Sequence, residues 1–214
     1  MWGRRRLVIG ALVATGTVVL LYFLPLFHVV AMDRAGRRAA GAAFDPVAIV
    51  ERFWTERLIP GATRAVDAVE LVTAMQQDRK TARREHGRSV GLGDVHYYFV
   101  TGTGRVVSVE TDSVVLSLRD GQPQFQVSLE TGNVVGNAVR DGTGLLNVND
   151  FPNSQDFNAL SSEINRRIEQ QVLPVLRKMA AVGVTVRFVG CAEIMDEDQD
   201  LRRLRIVPFI VETP

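Results

Sequence analysis

The chain has 214 residues, 46% of them hydrophobic, with 25 basic and 24 acidic side chains and a formal net charge of +1. That length suits one compact domain plus an appendage. Setting aside Arg4, Arg5 and Arg6 leaves 22 basic residues against 24 acidic ones, a balance that argues against nucleic acid as a partner, because such binding rests on phosphate neutralisation.

In chain order, the first element is an apolar segment. Arg4 to Arg6 precede a run, Leu7 to Met32, without a single Asp, Glu, Lys or Arg. Such a run can cross the hydrocarbon core of a bilayer, which needs about 20 apolar residues, and exceeds the core of a cleaved signal peptide. Residues 1–32 are therefore expected to be an uncleaved signal-anchor. Tyr22 and His28 suit the far interface, and Pro25 a kink there. Arg34, Arg37 and Arg38 compete with the N-terminal arginines for the cytoplasmic side. The expected orientation is N-terminus inside and C-terminal domain outside, which a reporter fused after Pro214 would test.

Residues 33–43 read as a linker and 44–92 as a helical segment. Asp45 caps a helix whose first position is Pro46. Val47, Val50, Phe53, Trp54, Leu58 and Ile59 recur at helical spacing, and Pro60-Gly61 ends the element. A second helical zone covers 62–86, with Val66, Val69, Val72 and Met75 on one face. Its basic end, "DRKTARREHGR", reads as a solvated face or as a contact for anionic headgroups near the anchor.

From Val95 the period changes to two, and 93–214 is expected to form one β-rich domain. "YYFVTGTGRVVSVE" is a long strand, bent or bulged at Gly102 and Gly104. "SVVLSL" follows, with Val114, Leu116 and Leu118 on one face. Asp120-Gly121 signals a hairpin turn. "QFQVSLE" alternates, with Phe125, Val127 and Leu129 inward and Gln124, Gln126 and Ser128 outward. A helix is expected over 154–178, striped by Phe157, Leu160, Ile164, Ile168 and Val172 and kinked by Pro174. Strands at 184–192 and 204–211 close the chain, with Pro208 marking an edge or a bulge. The fold class is thus α+β, and the strand order, with a helix between strands 3 and 4, is that of an OB-like five-stranded β-barrel. That fold does not choose a ligand.

Several stretches in this order resemble a known family. They are "FDPVAIVERFWTERLIP", "HGRSVGLGDVHYYFVTGTGRVVSVET", "GNAVRDGTGLLNVNDFPN", "VRFVGCAEI" and "RIVPFIVE". Together they resemble the bacterial predicted periplasmic lipoprotein family of unknown function, often described as linked to sugar ABC transporters. The resemblance implies an exported, membrane-tethered domain at the cytoplasmic membrane, with an ABC transporter component as partner. It implies no catalytic residues. The family's lipoproteins carry an acylated Cys just after the apolar core; here that region has none, and the apolar span takes its place.

Catalytic templates fail: no G-x-S-x-G elbow, Walker loop or H-E-x-x-H pair occurs. The chain is expected not to be an enzyme and to need no cofactor or metal. His86 and His96 flank a glycine-rich turn without an evident partner. Asp196, Asp198 and Asp200 have calcium-like spacing, but Leu201 and Val207 stand where a calcium loop needs Gly and Glu. Cys191, the only cysteine, lies in an apolar strand and reads as a buried thiol.

The segment 136–153 holds the candidate site. Arg140, Asp141, Asn149 and Asp150, with Tyr97 or Tyr98 as an aromatic face, could line a polar pocket for a carbohydrate or other small solute. The alternative is structural. Asn153 caps the next helix with Asp156 at its positive end, and Phe151 packs on Phe157. Asp141-Gly142 and Asn149-Asp150 make turns, and Arg140 bonds Asp141.

Overall fold

The computed structural model describes residues 44–90, 95–195, 200 and 203–214. The anchor and linker expected over 1–43, and Asp196, Asp198 and Leu201, lie outside the described residues. Among the described residues no helix is long and apolar enough to cross a membrane.

Helix α1 spans Pro46–Phe53, and Asp45 caps it by accepting N–H bonds from Val47 and Ala48 at 3.0 and 3.1 Å. It buries Val50 and Phe53, whereas Val47 is 53% exposed. The apolar spacing included Val47, but the first turn points away from the body. A π turn, Trp54–Leu58, follows, in which the Ile59 N–H reaches the Trp54 carbonyl. Pro60 comes next. A proline clashes with the carbonyl four residues back and has no N–H to give it, and widening the preceding turn relieves both problems. The same device recurs later.

Strand β1 is Val66–Asp67, and helices α2 (Ala68–Gln77) and α3 (Arg79–His86) follow, capped by Asp67 and Asp78. The single helical zone expected over 62–86 is therefore broken at Asp78, whose carboxylate takes the N–H groups of Lys80 and Thr81. Ala68, Leu71 and Met75 face the core, not Val69 and Val72. Strand β2, Gly87–Ser89, completes this region.

Five long strands make the sheet: β3 (His96–Val109), β4 (Ser113–Ser117), β5 (Gln126–Glu130), β6 (Thr185–Ile194) and β7 (Leu204–Glu212). Their pairings run β3–β4–β5–β7–β6 and return from β6 to β3; only β5–β7 is parallel. β1 and β2 pair with the N-terminal half of β3. The bulge in β3 falls between Val106 and Ser108, not at the glycines. Gly102 and Gly104 stay in register with β6 and serve close approach: a Cβ on Gly102 would lie 2.8 Å from Phe188 Cζ. At Gly190 the β6–β7 register shifts opposite Pro208.

Both faces of these strands are covered. Val100, Val106, Leu116, Leu129, Phe188 and Ile206 form one core with Leu71 and Met75. On the other side Trp54, Phe99 and Phe209 meet, with ring centroids 6.3 and 5.8 Å apart, a geometry that adds about 1 kcal/mol per pair beyond burial. Ser128, expected outward, is accordingly buried, as is Val115.

Between β5 and β6 lie the short helix α4 (Ala138–Gly142) and a long helix. The latter is α5 (Ser154–Arg167), a π turn (Ile168–Val172) and α6 (Leu173–Met179). The Leu173 N–H bonds the Ile168 carbonyl immediately before Pro174. The expected stripe of Phe157, Leu160, Ile164, Ile168 and Val172 is buried throughout.

Candidate functional site

The connection from β5 to α5 is fixed from both ends. The Val134 N–H donates to Glu169 Oε1 at 2.7 Å, and Asn165 Nδ2 donates to the Gly136 carbonyl at 3.0 Å. Gly136 has φ +85°, which L side chains rarely adopt. Helix α4 then presses on β6. Gly142 permits this, since a Cβ there would sit 2.9 Å from Cys191 Cβ. At the far end Asn153 Oδ1 accepts the Asp156 N–H at 2.8 Å, and Asn153 Nδ2 reaches Asp156 Oδ2 at 2.9 Å. Phe151 and Phe157 meet at 5.4 Å.

Arg140 and Asp141 face each other. Arg140 Nε donates to Asp141 Oδ1 at 2.7 Å, and Nη2 to Oδ2 at 2.9 Å. Arg140 Nη1 donates to Asn158 Oδ1 at 3.0 Å, and the guanidinium lies 4.1 Å from the Phe157 ring centroid. Both residues are 6% exposed. Three sides of the cation are thereby engaged within the protein.

The six expected site residues do not share one pocket. Asn149 and Asp150 are exposed on a 3-10 turn, Val148–Asp150. Tyr97 and Tyr98 are neighbours on β3 and so point to opposite faces. Tyr98 joins the inner core and bonds Arg83. Tyr97 points toward Asp141 and Glu193; burial, then the Glu193 and Asp141 charges, push its hydroxyl up to about 12.

Sequence reasoning missed Glu193. It stands opposite Tyr97 in the β3–β6 ladder. Burial, then Asp141 and Asp200, raise its carboxyl above the usual carboxylate range. The available signal was the one acidic residue in a largely apolar strand. Glu193 lines a cleft of about 360 Å³ with Val134, Ala138, Cys191 and Val207. Val135 and Met195, 80% and 71% exposed, also line it. Arg205 in the same cleft donates to Glu130 at 2.5 Å, and Asp200 accepts the Met195 N–H at 2.9 Å. Cys191 is fully buried and burial pushes its thiol well up, so it offers no thiolate.

A second cleft, of about 540 Å³, lies across Val135, between residues 134–137 and α5. Its lining includes the amides and hydroxyls of Asn137, Asn158, Ser161, Ser162 and Asn165, beside the charged Arg166 and Glu169. The Ser161 hydroxyl is buried without a hydrogen-bond partner. Among the described residues no group of three or more His, Cys, Asp or Glu is arranged to hold a metal ion. His86 ends α3 and His96 begins β3.

The sequence profile of a family described as "Predicted periplasmic lipoprotein (DUF2291)" matches residues 17–212. A crystal structure of an OB-fold protein from Thermotoga maritima MSB8 is similar in fold, with a TM-score of 0.71 and 23% identity. The match covers 80% of this chain and 99% of that one. No functionally curated protein matches.

Proposed function

Because the chain belongs to the Predicted periplasmic lipoprotein (DUF2291) family, we propose that it is a membrane-tethered, extracytoplasmic OB-like five-stranded barrel. It acts as a non-enzymatic interaction module at a transporter, a sugar ABC transporter by the family resemblance. The charge-free run 7–32 supplies the tether. The observation that carries the interaction reading is the pair Val135 and Met195. Two large apolar side chains stand mostly in solvent at the rim of one cleft, and apolar groups that flank a recess are typical anchors for a partner. The locking of Arg140 on Asp141 supports a non-catalytic role for the most active-site-like cluster. Crosslinking and affinity purification of the full chain from membranes tests the proposal. Recovery of a transport component supports it, and repeated recovery of none rejects it.

A second reading, direct binding of a carbohydrate or other polyhydroxylated solute, draws on the amide- and hydroxyl-lined cleft and its unpartnered Ser161. Such groups give the directional polar contacts that sugars need. Calorimetric titration with a panel of mono- and oligosaccharides tests it; no heat with any of them rejects it.

A further inference from the structure

Glu193 is half-buried in the cleft between β6 and residues 133–138. Its Oε2 lies 3.5 Å from where a Cβ on Gly136 would stand, which sets the carboxylate against the backbone of the facing segment. Among the described residues, no hydrogen bond or ion pair reaches this carboxylate. The charges that act on it, Asp141 and Asp200, are both acidic. The cations nearby are committed elsewhere: Arg140 to Asp141 and Asn158, and Arg205 to Glu130. Among the lining residues Glu130, Glu193 and Asp200 stand against one base, Arg205.

Folding alone does not account for a carboxylate here. A neutral side chain would avoid both the desolvation and the like-charge repulsion. A cation from outside would turn that repulsion into attraction.

The walls decide what carries the cation. Val134, Ala138 and Val207 line the same recess, and its volume of about 360 Å³ has room for a long side chain. A small inorganic cation would leave these apolar walls uncovered. A lysine or arginine brings a methylene stem that packs on them while its charged head reaches a polar group. Val135 and Met195, large and mostly exposed at the rim, suit an apolar neighbour of that residue in the same segment. We propose that the cleft receives a lysine or arginine side chain of a partner protein, its cation meeting Glu193 and an adjacent apolar side chain packing on Val135 and Met195. This rests on the interaction reading above and adds the chemistry of what is bound.

The test places a photo-crosslinking side chain at Val135 in the full chain, in native membranes, with Glu193 intact or changed to Gln. The crosslinked segment is identified by mass spectrometry. It is expected to carry a Lys or Arg within a few residues of the attachment point. A hydrogen bond to a charged group contributes about tenfold in affinity, so Glu193→Gln should lower the adduct yield about tenfold when the partner is limiting. A melting temperature no lower than that of the unaltered chain shows that the fold is kept. Glu193→Lys should abolish the adduct, and changing the partner's cation to Glu should restore it. A yield unaffected by Glu193→Gln, a contact segment without a cation, or an adduct to a second copy of this chain overturns the proposal, while the first two leave the interaction reading standing. An adduct that depends on Glu193 but joins a protein unrelated to transport upholds the proposal and rejects the transporter as partner. No adduct at all overturns both.

Discussion

Asp141→Asn is the most informative single perturbation of the β5–α5 connection. It leaves the Arg140 cation buried, with Asn158 and the Phe157 face as its remaining partners. Removing one member of a buried ion pair costs about 3–5 kcal/mol. The two remaining contacts, and the acceptor oxygen that Asn retains, place the expected cost near the lower end, about 3 kcal/mol. A domain of this size loses roughly 2–4 °C per kcal/mol, so the melting temperature should fall by about 6–12 °C. Urea denaturation of Asp141→Asn, Arg140→Met and the double variant completes a cycle. The double variant should recover most of the loss, because no unpaired charge remains buried, giving a coupling of at least about 2 kcal/mol. A shift below about 2 °C for Asp141→Asn, or additive costs, would refute the structural assignment and return the pair to the ligand-facing reading.

Three further outcomes are expected. Asn153→Ala removes the cap of α5 and should cost about 1 kcal/mol in urea unfolding. Glu193→Gln should raise the melting temperature at pH 7 and leave it unchanged in acid. The folded-state pKa of this acid is raised, so the native protein holds more protons than the unfolded chain, and stability falls as pH climbs above the ordinary carboxylate value of about 4.5. Gly190→Ala puts a Cβ onto the Val207 carbonyl and 2.6 Å from Ile206 Cγ2. Backbone and a short branched side chain cannot both yield, so overpacking of about 1–3 kcal/mol should appear as a lower urea midpoint.

Features encoded within a few residues were legible in the sequence. Asp45 and Asn153 cap as their positions predict, the α5 stripe is buried as its spacing predicts, and Pro208 stands opposite a register shift. What failed depends on distant contacts. The phase of α2 is set by where β1 pairs with β3, so Leu71 rather than Val69 turns inward. The inward and outward alternation at Val115 and Ser128 is overridden because layers cover both strand faces. Gly102 looked like a bend, yet its reason is the Phe188 ring across the ladder. In the candidate site, the Arg140–Asp141 contact was an open alternative in the sequence because adjacent residues can always meet. Glu193 left only the trace of a lone acid in a largely apolar strand, and the importance of Val135 and Met195 was invisible, since only β6 and the 133–138 segment coming together gives the three a shared cleft.

The interaction reading is tested most directly by a photo-crosslinking side chain at Val135 or Met195 in the full chain, activated in native membranes. A control at Val182, 70% exposed, sits where Gly183 bonds Val106, far along β3 from the His96–Ile194 end that carries Met195. The account predicts the same adduct, containing a transport component, from Val135 and Met195 and none from Val182. No adduct at the cleft, or an identical one from all three positions, would contradict it.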